Sequence, residues 1–202
     1  FKLEMSQPSL FHIELKYPNN WDNGLKEKIA EKISIELAQY LAYNWTVYHE
    51  MLSWYGYKSS GIFSEFCSAF SPEDLYSDLL GTIVASTALR DESDFETASV
   101  KVLKLKLTEL GMQSKNVAEK AFEESKNKWW NGKTYPLNKV YKRNFDIGID
   151  DGFLSPMLIE TIDKSAKPKP LPAPKLFFQN DFHIKVEIET KEKQKDILLK
   201  IV

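Results

Sequence analysis

The chain has 202 residues, 43% of them hydrophobic and 13% aromatic, enough to bury a core and to exclude a disordered protein. Lys and Arg number 27 against 29 Asp and Glu, so no overall charge excess points to nucleic acid or to an anionic membrane surface. The single Cys67 has no partner for a disulfide or a zinc knuckle and reads as a small buried apolar side chain.

In chain order, "SLFHIELKY" (9–17) alternates polar and apolar residues before Pro18 and Asn19-Asn20, which predicts a strand and a turn. From Gly24 to about Tyr55, Leu25, Ile29, Ile33, Leu37, Leu41, Tyr48 and Leu52 recur at three- and four-residue steps, the stripe of a long amphipathic helix. Gly56 and Gly61 bracket a loop. "FSPEDLYSDLLGTIVASTALR" then opens a second helix, with Ser71 as N-cap, Pro72 in the first turn and Asp74 placed to close a capping box. Its run "LLGTIVASTAL" (79–89) is about half the ~20 apolar residues that a membrane-spanning helix needs, so no transmembrane segment is expected. "SDFETASVKVLKLKLTELG" predicts a third helix from Ser93 or Asp94 to Gly111, and Ser114 caps a fourth that is expected to run through Trp130 to Asn131-Gly132.

Beyond Gly132 the chain turns extended. Four prolines within 168–174 set a polyproline-like stretch that serves as a spacer or packs along a surface. "DFHIKVEIET" and "KDILLKIV" pair as a C-terminal hairpin, and residues 164–202 carry nine lysines against five acidic residues, a basic end. The expected fold is therefore α+β and predominantly helical, with about four helices, a short N-terminal strand and a C-terminal β-hairpin. Residues 1–163 form the helical domain, and 164–202 the Lys/Pro-rich spacer and hairpin.

The chemistry centres on "WTVYHEMLSWYGY" (45–57). His49-Glu50 on a helix is how a zinc-protease pattern begins, but the second histidine due four residues after the first is Ser53. On the second helix, Asp74, Asp78, Gly81 and Ala85 fall on one narrow stripe, and their small residues would let a neighbouring helix come close and bring the carboxylates to His49 and Glu50. Capping and the helix dipole explain Asp74 and Asp78 without any ligand. "DIGIDDG" (146–152) lacks the spacing and the closing glutamate of a calcium loop and reads as a turn. Trp45, Trp54, Tyr55, Tyr57, Trp129 and Trp130 could line a sugar or peptide groove, but core and rim positions are the better reading, since large aromatics dominate burial in a domain of this size.

The spacing of these residues resembles the gluzincins, the thermolysin-like zinc proteases. That resemblance implies His49 as first metal ligand, Glu50 as general base, Asp74 as third ligand and Asp78 as the aspartate that orients the histidine or enters the coordination sphere. Ser53 in the second ligand's place, and Asp in place of the usual Glu at 74, leave fewer than the three protein ligands of a catalytic zinc.

A broader resemblance rests on three segments in order: "HEMLSWYGY", "FSEFCSAFSPEDLYSDLLG" and "RNFDIGIDDGFLSP". Together, across roughly residues 30–157, they look like the bacterial domain-of-unknown-function family numbered 4056. Its members look like envelope proteins, often lipid-anchored, so the resemblance implies export from a bacterial cytoplasm. The chain starts at Phe1 rather than Met, and a leading segment is expected to have been removed or to lie outside it.

Two functional expectations follow. The favoured one is a non-catalytic binding or scaffold domain of the cell envelope, with a peptide or envelope component as partner and His49, Glu50, Asp74 and Asp78 as a hydrogen-bonded clasp between two helices. The alternative is a degenerate zincin-like hydrolase in which His49, Asp74 and Asp78 hold one divalent metal, zinc, and Glu50 activates water.

Overall fold

The computed structural model describes residues 10–16, 24–58, 63–134, 136–159, 162, 165–176, 183–190 and 197–201. Strand β1 (Leu10–Lys16) is followed by the long helix α1 (Lys26–Trp54) and, after a single 3-10 turn at Glu65–Cys67, by α2 (Asp74–Ala88), α3 (Phe95–Glu109) and α4 (Lys115–Ser125). Two short strands, β2 (Phe153–Leu154) and β3 (Leu171–Pro172), precede the hairpin of β4 (His183–Thr190) and β5 (Ile197–Ile201). The fold is predominantly helical α+β, as the sequence pattern predicts. The turn of the hairpin lies outside the described residues.

β1 joins the hairpin as its third strand, antiparallel to β4, with Leu10 opposite Glu189 and Lys16 opposite His183. The remaining pair, β2 and β3, is also antiparallel and sets Leu154 opposite Leu171. Both leucines are buried in the main core with Tyr43 and Val47 of α1, Ala69 and Phe70 of the segment before α2, and Leu75 and Leu79 of α2. The Lys/Pro stretch is thus anchored at Leu171 in the helical core rather than suspended, and Tyr76 of α2 donates to the Lys169 carbonyl at 2.7 Å.

α2 packs on α1 and on α3. α1 ends where the glycine signal places it. Gly56 adopts a left-handed φ of 90°, its N–H donates to the Ser53 carbonyl and the Tyr57 N–H to that of Leu52, each at 3.0 Å. This is a Schellman ending, and Gly111 closes α3 in the same way. Asp94 is the N-cap of α3, its carboxylate accepting the Thr97 N–H at 3.0 Å.

Three expectations need correction. α2 starts in regular form at Asp74, and only one arm of the capping box is made: the Asp74 carboxylate accepts the Ser71 N–H at 3.0 Å. The residues before it are held by Phe70, whose φ of 55° is incompatible with an earlier helical turn. Helix α4 stops at Ser125, five residues short of Trp130, because Lys126 is extended and Asn127 takes a left-handed φ of 61°. Trp130 then bridges to Val140 in a compact turn. Gly81 does not serve close helix packing: it is exposed, and a Cβ built on it meets nothing within 4 Å. Gly81→Ala is accordingly expected to raise stability by about 0.5–1 kcal/mol, read as a higher urea midpoint. A lower midpoint would mean that the glycine is needed for packing after all.

Candidate functional site

The site grows from the last two turns of α1. Position 53, where a second metal-binding histidine would stand, carries a serine only 2% exposed. Its hydroxyl donates to Glu65 Oε2 at 3.0 Å. One turn earlier, His49 Nε2 lies 3.4 Å from the same carboxylate oxygen, and its ring meets Tyr57 edge-on at 5.9 Å. Glu65 therefore ties together the two α1 positions that a zinc helix would use as ligands.

Glu50 is 7% exposed and accepts the Phe70 N–H at 2.5 Å. Burial pushes its carboxyl up to about 7, opposed by the Phe70 N–H and reinforced by the charges of Asp74, Asp78 and Glu65. Asp78 is also raised, first by burial and then by Asp74, while the Thr46 hydroxyl and His49 pull it down. His49, Glu50, Asp74 and Asp78 thus share one electrostatic neighbourhood across the α1–α2 interface, but His49 makes its close contact with Glu65.

A third segment closes the arrangement and packs on Trp54 at the end of α1. The Arg143 guanidinium donates to the carbonyls of Ala69 and of Phe66, the latter at 2.9 Å, and lies over the rings of Trp54 and Phe66 at 5.0 and 5.2 Å. The Asn144 N–H donates to the Phe70 carbonyl at 2.9 Å and the Val140 N–H to that of half-buried Cys67 at 2.8 Å. Phe70 is gripped at both its backbone groups, by Glu50 and by Asn144. That grip holds a non-glycine residue in the left-handed region, a conformation costing on the order of 1–3 kcal/mol. Its ring is 5% exposed and stacks on Phe145 at 4.9 Å.

Asp146 caps its own turn, accepting from the N–H groups of Gly148 at 2.9 Å and Ser155 at 3.2 Å. The "DIGIDDG" stretch is the turn that its spacing suggests. The Tyr43 hydroxyl donates to the Ile147 carbonyl at 3.1 Å, and burial, with the charges of Asp146 and Asp78, pushes that phenol up to about 12.

As a metal centre the residues fit poorly. The Glu50, Asp74 and Glu65 carboxylates each accept a hydrogen bond from the protein. Among the described residues no group of three or more His, Cys, Asp or Glu side chains is placed to hold a metal ion. Sequence reasoning missed Glu65, Phe70 and Arg143. Glu65 and Phe70 lie inside "FSEFCSAFSPEDLYSDLLG" and Arg143 opens "RNFDIGIDDGFLSP", so the signal was the set of three segments rather than any spacing within one.

Those three segments meet here. Residues 50 and 53 of α1 hold residues 65–70, residues 143–144 hold the same stretch, and the two also touch at Trp54. No curated protein and no solved structure matches the chain. Residues 9–155 match the family described as "Protein of unknown function (DUF4056)", and the chain belongs to that family.

Proposed function

We propose that the chain is a non-catalytic binding or scaffold domain of the bacterial cell envelope, in which the His49, Glu50, Asp74 and Asp78 neighbourhood is a structural clasp. The observation that carries this reading is the Glu50 carboxylate: it is buried and spent on the Phe70 N–H, where a general base would face a water and a substrate. Envelope location is supported by the export that the family resemblance implies. No helix among the described residues is long and apolar enough to cross a membrane.

One observation favours the alternative, metal-dependent hydrolysis with His49, Asp74 and Asp78 as ligands and Glu50 as base: a carboxyl that titrates near neutrality suits proton transfer. The alternative also requires the carboxylates to leave their present partners. Elemental analysis of protein purified without chelator tests the choice. The clasp reading expects less than one-tenth of a zinc per chain and the same melting temperature with and without EDTA. One tightly held zinc per chain, with a fall in melting temperature on its removal, would replace it with the hydrolase reading. Fractionation of the tagged full-length gene product in its own cells is expected to place it with the envelope, and recovery in the cytosol would refute that part of the proposal.

A further inference from the structure

α3 packs on α2, and its buried side chains are Ala98 and Val102, 0% and 6% exposed. At ~100° per residue a second apolar stripe, Val100, Leu103 and Leu107, lies about 150° around the helix from these two. Val100 and Leu103 are 48% and 42% exposed, and Leu107 is half-buried. With Glu96 before them and Leu110 after, these positions recur at steps of four, three, four and three. That is the heptad spacing of a helix seam that faces another helix. Ala98 and Val102 already dock α3 on α2, so the second stripe is not what holds α3 in the fold.

Charge is sorted along this helix. Its start carries Glu92, Asp94 and Glu96, and its later half Lys101, Lys104 and Lys106. Lys101 pairs with Asp91 at 2.9 Å and Lys106 with Glu109 at 2.8 Å, whereas among the described residues Glu96 and Lys104 form no ion pair. A stripe that is acidic at its start and basic further on is complementary to itself run backwards. Two copies related by a two-fold axis bring each acidic end to the other's lysines and oppose the two helix dipoles. An anionic lipid surface or an acidic helix would instead meet Glu96, a like charge, in the line of the stripe.

We infer that the outer face of α3 is a self-association surface, on which two copies pair antiparallel with Val100 of each against Leu103 of the other. Glu96 then stands opposite Leu107 of the second copy, where its carboxylate reaches that copy's Lys104. The same register sets Lys104 and Lys106 opposite Ser99 and Thr97, so no two lysines meet. One helix of about four turns per chain makes a contact smaller than the ~1,200–2,000 Å² of a standard interface. The dimer is therefore expected to be weak, with a dissociation constant of about 10–100 µM. Its surface shares no residue with the α1–α2 clasp, so either reading can fall alone.

Sedimentation equilibrium of the full chain from about 10 to about 500 µM tests it, and is expected to show monomer passing to dimer. Leu103→Glu, which enters the symmetric contact twice from an exposed position, is expected to weaken the dimer roughly a hundredfold while leaving the monomer's melting temperature unchanged. Glu96→Lys is expected to weaken it about tenfold, and Glu96→Lys combined with Lys104→Glu to restore it. Oxidation of a mixture of Val100→Cys and Leu103→Cys chains is expected to join position 100 to 103 faster than either variant cross-links with itself. A monomer throughout the concentration range, a dimer that Leu103→Glu leaves intact, a charge swap that restores nothing, or 100-to-100 cross-links ahead of 100-to-103 would overturn the inference. So would a monomer that binds phosphatidylglycerol vesicles through Leu103, which would give this face to a membrane.

Discussion

Glu50→Gln is expected to flatten the pH dependence of stability across the window from 4.5 to about 7, where the carboxyl titrates differently in the folded and unfolded chain. The folded value is raised, so the folded state binds the proton more tightly. The stabilisation is therefore complete below the unfolded value and is lost as pH rises through the folded one. A displacement of this size corresponds to at most roughly 3 kcal/mol. Asp78, raised in the same direction, contributes a smaller loss of the same sign. The amide keeps an acceptor for the Phe70 N–H but carries no titrating proton. The variant should be slightly less stable than the parent at pH 5 and at least as stable at pH 8. Glu50→Ala removes the acceptor, leaves the Phe70 N–H unpaired beside a cavity, and is expected to cost about 3 kcal/mol at pH 5 and less at pH 8, where the parent has itself lost the stabilisation of the protonated carboxyl. Urea midpoints between pH 4.5 and 8 measure all three proteins. Parallel curves for the parent and the Gln variant would show that the carboxyl titrates normally and that its burial has no energetic consequence.

Arg143→Met should destabilise the fold by about 3 kcal/mol without changing the chain's metal content. Two carbonyls, those of Ala69 and Phe66, lose a charged donor, and Ala69 is only 2% exposed, so water does not readily replace it. The stack over Trp54 and Phe66 contributes a further ~0.5–1 kcal/mol. Arg143→Lys is expected to lose about two-thirds as much. An ammonium offers no planar fork to reach two carbonyls and stacks poorly on a ring. Full retention of stability in the Lys variant would mean that charge alone, rather than the paired donation, holds residues 66–69.

Periodicity made α1, α3 and the strands of the hairpin legible as elements, but it did not pick the buried face of α1. Of the stripe read from the sequence only Ile33 is buried. The helix buries Ile35, Tyr43, Val47, Glu50 and Ser53 instead, because its contacts with α2 and with residues 65–70 choose the face. Periodicity carried α4 too far: residues 126–130 still look helical by composition, and nothing local announces that Asn127 turns left-handed. The site was legible only at its helical half. His49 and Glu50 stand out because a His-Glu pair on a helix has a known chemistry, and Asp74 because capping does. Glu65 and Arg143 come from segments without a repeat, and their roles are set by tertiary contacts with partners 12 and more residues away. Ser53 reads as a defect in a protease pattern, but its small hydroxyl is what fits a position almost closed to solvent.

The register of β1 against β4 has a mechanical consequence. Lys16 opposite His183 closes the ladder at the end facing the intervening chain, while β5 runs back along the other side of β4 and sets Ile201 opposite Val186, so β1 and β5 are parallel and Leu10 and Ile201 lie toward opposite ends of the sheet. Everything between β1 and β4 is strung as one insertion on this sheet. Closing a loop of that length is entropically costly, so the β1–β4 ladder is expected to form after the helices have packed. Tension applied through Leu10 and Ile201 would pass across β4 and load the pairs together in shear rather than open them one at a time. The helical body would bear load only after the sheet had sheared, so the clasp is shielded from tension between the outer strands.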